Sequence, residues 1–116
     1  MAPPSKLAVA TSSVVRLVKE EASYHKELEQ QQARIQKLES STSDENAEYQ
    51  LKQERQALDE TKKVLPSVRQ KIQDALAQLE ELLEANKEDG GAASTEEVTK
   101  AKEAVANANK AIRESA

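Results

Sequence analysis

The one histidine, His25, stands one helical turn from two carboxylates, Glu21 and Glu29. In a helix, residues four apart share a face, so the three form a line that could hold a metal or pass a proton. Di-iron bundle sites use Glu-x-x-His, and three residues before His25 stands Ala22. No other helix offers a matching ligand cluster, so His25 reads as a surface histidine beside carboxylates. The pairs Glu20-Glu21 and Glu80-Glu81 read as solvated helix faces, because acid–base catalysis needs a buried carboxyl with a raised pKa. No glycine elbow supports a Ser/His/Asp arrangement. The two glycines, Gly90 and Gly91, are adjacent and cannot form a phosphate loop. These observations point away from an enzyme and from any bound metal or cofactor.

Composition narrows the class further. The 116 residues carry 17 basic and 21 acidic side chains and a net charge of −4. Mixed charge of that sign disfavours nucleic acid, which needs a basic stripe. The only aromatics are Tyr24 and Tyr49. A core without Phe or Trp must be thin and built from Leu, Val, Ile and Ala, as in a helix-bundle seam. There is no cysteine, which fits a reducing compartment. No run approaches the ~20 apolar residues of a membrane span. The start of the chain also lacks the basic region and cleavage site of a secretory signal. The expectation is a cytoplasmic protein with no membrane or nucleic-acid partner.

The elements follow from periodicity. Leu51, Leu58, Leu65, Ile72 and Leu79 recur every seventh residue, which places them on one stripe of one long helix. Pro66 lies inside that stripe and lacks the N–H its turn requires, so a kink is expected there. The second half of this helix is the more apolar, with Val68, Leu76, Leu82 and Leu83. The first half has Glu54, Arg55, Thr61 and Lys62 at equivalent places and a narrower seam. Upstream, Leu7, Val14, Glu21, Leu28 and Ile35 form another seven-residue stripe, beside Ala10, Leu17, Tyr24, Gln31 and Leu38. Glu21 and Gln31 interrupt that seam. This helix begins near Ser5, or alternatively at Ser12 or Ser13. Downstream, Val98, Val105 and Ile112 share a face with Ala101, Ala104, Ala108 and Ala111.

Thr42 with Glu45, and Ser94 with Glu97, have capping-box spacing, and the glycine pair ends the middle helix. The pattern predicts helices near residues 5–40, 44–87 and 95–113 in one domain spanning 1–116. The fold expected is all-α, a left-handed, up-down-up three-helix bundle with its middle helix kinked at Pro66. Alanine buries little area, so the third helix should pack loosest. Leu58 is expected in the core with Leu65, Ile72 and Leu79, and Leu7 at a fraying end. Two charge clusters stand out: Lys62, Lys63, Arg69 and Lys71 around Pro66, and Glu80, Glu81, Glu84, Glu88 and Asp89 late in the middle helix.

The chain resembles the tubulin-binding cofactor A family between about residues 14 and 84. The first helix carries the likeness in Arg16-Leu17-Val18-Lys19-Glu20, Tyr24, Lys26-Glu27, Gln30-Gln31, Ile35 and Lys37. The second carries it in Tyr49-Gln50-Leu51-Lys52-Gln53, Leu58, Glu60-Thr61, Leu65-Pro66, Leu79 and Leu82-Leu83-Glu84. Residues 1–13 and the alanine-rich third helix match less well. The resemblance implies a three-helix bundle that binds β-tubulin released from the cytosolic chaperonin. It would hold the subunit for assembly of the α/β heterodimer, alongside other folding cofactors and without nucleotide or metal. Residues that match the family but are not all needed for the seam are the binding candidates: Arg16, Lys19, Glu20, Lys26, Glu27, Gln30, Lys52, Gln53 and Glu60. Such a cofactor would be a monomer or weak dimer, in the cytoplasm and associated with the cytoskeleton. The rival readings are a structural coiled-coil scaffold and a helical vesicle-trafficking bundle.

Overall fold

The computed structural model describes residues 4–41, 45–88, 91 and 93–115. It is an all-α helical bundle, with no strand among the described residues. Three helices follow in order: α1 (Lys6–Glu39), α2 (Glu45–Glu88) and α3 (Thr95–Glu114). Pro66 is exposed and lies within the unbroken span of α2.

The start of α1 is at Ser5, not at Ser12 or Ser13. The Ser5 Oγ accepts the Ala8 N–H at 3.0 Å, satisfying one of the donors a helix start leaves open. The capping box of α3 is complete. Ser94 Oγ accepts the Glu97 N–H at 3.1 Å, and Glu97 Oε1 accepts the Ser94 N–H at 3.3 Å. The expected cap at Thr42 lies outside the described residues. At the end of α2, Gly91 takes φ +77°, a conformation open to glycine at little cost. Its N–H donates to the Asn86 carbonyl at 2.8 Å, and Ala93 N–H donates to Asn86 Oδ1 at 3.0 Å. Asn86 thereby holds the backbone of Gly91 and Ala93.

The chain divides into two compact units. The first comprises residues 1–20 and 68–116, hence the start of α1, the end of α2 and all of α3. Its core is apolar: Leu7, Ala10, Val14, Val68, Ile72, Leu76, Leu79, Ala101, Ala104 and Ala108 are buried. Val14, Ile72 and Leu79 are fully enclosed. Leu7 is no fraying residue. It is 5% exposed, and its carbonyl accepts the buried Thr11 hydroxyl at 2.7 Å. Nor is α3 loose: its alanine face is sealed, with Ala101 and Ala108 at 0%. Small side chains let a helix approach closely, so low bulk here means tight packing.

Polar contacts hold α3 at both ends. The Ser5 hydroxyl donates to Glu97 Oε2, which joins the α1 and α3 starts. At the other end, Arg69 Nε donates to Ser115 Oγ at 3.0 Å and its Nη2 donates to the Ser115 carbonyl. That cation sits where a helix dipole favours positive charge. Arg69 therefore serves α3, and the basic cluster around Pro66 is reduced to Lys62, Lys63 and Lys71 on the surface.

The Ser5 hydroxyl, then the Ser94 backbone N–H, hold the Glu97 carboxyl below the ordinary carboxylate range. A folded-state pKa that is depressed gives stability above the unfolded value and loses it as pH falls through the folded one. Ser5→Ala should move the Glu97 carboxyl titration upward in a side-chain NMR experiment. It should also weaken the acid-sensitive part of the melting curve below about pH 4.3. An unchanged titration would show that the Ser94 box alone sets the shift.

The second unit, residues 21–67, is a hairpin of the end of α1 and the start of α2. Ile35, Ala47 and Leu65 are its buried apolar residues, against buried Glu21, Gln31 and Thr61. Thr61 satisfies its hydroxyl on the Ala57 carbonyl at 3.0 Å. Glu21 Oε2 and Gln31 Oε1 are buried with no hydrogen-bond partner among the described residues. Glu21 is thus not the solvated carboxylate its sequence context suggested: it occupies a seam position of the α1 heptad. Arg34 pairs with Glu54 at 3.1 Å and Arg55 with Glu39 at 3.3 Å across the hairpin. Leu51 and Leu58 are only half-buried, because two helices cover less of each other than three.

Candidate functional site

All nine binding candidates lie on helices and are exposed: Arg16, Lys19, Glu20, Lys26, Glu27 and Gln30 on α1, and Lys52, Gln53 and Glu60 on α2. Their exposure follows from the heptad, since none occupies the stripes that carry the buried residues. Two of them meet in the first unit. Arg16 and Lys19 line a groove with Thr11, Ser12 and Val15 on α1 and Lys100, Glu103, Ala104 and Asn107 on α3. Neither Arg16 nor Lys19 forms an ion pair among the described residues.

In the second unit Gln53 lines a smaller groove with Arg34, Lys37, Leu38, Gln50 and Glu54. Its Nε2 donates to the Tyr49 hydroxyl at 3.1 Å, and Tyr49 itself is 64% exposed. An exposed tyrosine held by a neighbouring amide presents a flat amphipathic surface, of the kind enriched where proteins meet. The other six candidates stand along the helices outside these grooves.

The α3 wall was not singled out by sequence. Lys100, Glu103 and Asn107 repeat at helical spacing, which puts them on one face. That signal is readable only once Ala104 is known to face inward and α1 to lie alongside.

His25 Nε2 lies 3.7 Å from Glu21 Oε1, one turn away on the same helix. No group of three or more His, Cys, Asp or Glu able to hold a metal occurs among the described residues. No described helix is long and apolar enough to cross a membrane.

A profile of the tubulin binding cofactor A family matches residues 2–105. Tubulin-specific chaperone A of Saccharomyces cerevisiae is 32% identical over 109 residues, covering 94% of this chain and 95% of the relative. Tubulin-folding cofactor A of Arabidopsis thaliana is 33% identical over 110 residues, with 95% and 94% covered. The crystal structure of tubulin folding cofactor A from Arabidopsis thaliana matches the fold with a TM-score of 0.75 at 33% identity, covering 90% of this chain and 92% of that one. The match reaches into α3, beyond residues 14–84. With near full-length coverage on both sides and the same helical fold, the chain belongs to the tubulin-binding cofactor A family.

Proposed function

We propose that this chain is a tubulin-folding cofactor that binds β-tubulin after its release from the cytosolic chaperonin. It holds the subunit in a near-native form for assembly of the α/β heterodimer. The family match over residues 2–105 carries this reading. It acts in the cytoplasm as a non-enzymic monomer or weak dimer, without nucleotide or metal, and associates with the cytoskeleton through its client. Other folding cofactors receive the client from it.

The physical form suits the task. A holding protein must cover a partner reversibly, and long charged helical faces do so through many weak, salt-sensitive contacts. The nine exposed candidates leave the buried seam untouched, so they are free for such contacts. Pro66 is exposed on α2 and belongs to the surface open to a partner.

The test is capture of β-tubulin from cytosolic extract by the immobilised chain. Replacing the nine candidates together with alanine should preserve the helical circular dichroism spectrum and weaken capture roughly tenfold or more. Unchanged capture, with loss instead on deleting the Gly90-Gly91 loop, would place binding off the helix faces. No β-tubulin captured by the parent chain would overturn the reading itself.

A further inference from the structure

We infer that the α1/α3 groove of the first unit docks an acidic surface segment of the tubulin partner, an inference that rests on the function proposed above. The groove has a small-residue floor. Ala104 is 3% exposed and Thr11 8%, and the Thr11 hydroxyl proton is committed to the Leu7 carbonyl. A methyl floor lets a foreign backbone lie close. Val15, 38% exposed, adds an apolar contact on the α1 side.

The rim is what selects the occupant. Arg16, Lys19 and Lys100 bring three cations to it against one carboxylate, Glu103, in a chain that is acidic as a whole. Ser12 and Asn107 add exposed polar groups able to donate hydrogen bonds. Lys100 contacts Glu96 at 3.2 Å, but both side chains are well exposed. Exposed pairs contribute little, so Lys100 exchanges that partner at small cost. Arg16 offers a planar fork that fits a carboxylate of a partner in bidentate fashion, a geometry lysine lacks. Glu103 marks where the incoming segment must be uncharged.

The neighbouring groove shows that this charge is not generic. Between α2 and α3, Glu80, Glu84, Lys87 and Lys102 line a groove of similar size with balanced charge. Of these two grooves, the one against α1 carries the excess of cations. From Thr11 to Lys19 it runs about 12 Å at ~1.5 Å rise per residue. That length accommodates three or four extended residues at ~3.3 Å each.

The experiment compares the parent with the triple variant Arg16→Gln, Lys19→Gln, Lys100→Gln. The control is Lys6→Gln, Lys102→Gln, Lys110→Gln, which removes the same charge from exposed positions of the same unit. Each is titrated by fluorescence anisotropy with a labelled decapeptide of alternating Glu and Ala, and each is used for β-tubulin capture. The inference expects saturable peptide binding by parent and control, at least tenfold weaker binding by the triple variant, and a parallel loss of β-tubulin capture. A version of the peptide with Gln for Glu should not bind. Should the triple variant melt early, the single changes Arg16→Gln and Lys19→Gln replace it. The inference is overturned if the parent does not bind the Glu-Ala peptide, or if the triple variant binds it or captures β-tubulin as well as the control. A parent that binds the peptide but captures no β-tubulin overturns the functional reading while confirming the acidic specificity of the groove.

Discussion

Truncating Ile72 or Leu79 to alanine should lower the unfolding free energy by about 2–5 kcal/mol. Leu58→Ala should cost less than half as much. All three residues lie on the same seven-residue stripe of α2 and are equivalent by spacing. Ile72 and Leu79 are 0% exposed, inside a three-helix core, and Leu58 is half-buried on a two-helix hairpin. A cavity opens only where neighbours surround the deleted atoms on every side, and the hairpin leaves one side to water. Urea denaturation of the three variants checks this through midpoints and slopes. For so small a protein, a loss at the upper end is a large part of the total stability. Equal losses at Leu58 and Ile72 would mean that the hairpin is covered in solution as fully as the other unit.

Replacing Glu21 with leucine should stabilise the fold by about 1–4 kcal/mol. Glu21 occupies an a/d-type position between Val14 and Leu28, is 4% exposed, and leaves Oε2 without a partner among the described residues. Its other oxygen lies 3.7 Å from His25 Nε2, too long for a good hydrogen bond. Burying a carboxylate without full compensation is costly, whereas a leucine there would extend the apolar seam. Glu29→Leu, on an exposed site of the same helix, should change stability by no more than about 0.5 kcal/mol. Chemical denaturation at neutral pH reads both. A lower midpoint for Glu21→Leu would show that the carboxylate contributes more than the apolar contact that replaces it. A carboxylate kept at a cost in an otherwise regular heptad is the kind of local conflict found at functional positions.

Stripe, cap and turn are local properties, and they were legible in the amino acids alone. The heptads of α1 and α2, the proline-tolerant start near Ser5, the Ser94–Glu97 box and the glycine at the end of α2 each depend on a few neighbouring residues. They set three helices to within two residues at each end. The exposure of the nine candidates was legible for the same reason: a residue off the buried stripe of a helix has only solvent to face. What depended on tertiary packing was how far each stripe is covered. Periodicity assigns Leu58 and Ile72, or Glu21 and Val14, to the same face, but not the number of helices opposite that face. The third helix belongs to the first unit, and identical heptad positions are a sealed core there and a part-polar hairpin in the other. The pairing of Ser5 with Glu97, of Arg69 with Ser115, and of Arg16 and Lys19 with Lys100 has the same origin. Each joins residues more than forty positions apart, and only the close approach that alanine permits along α3 brings them together.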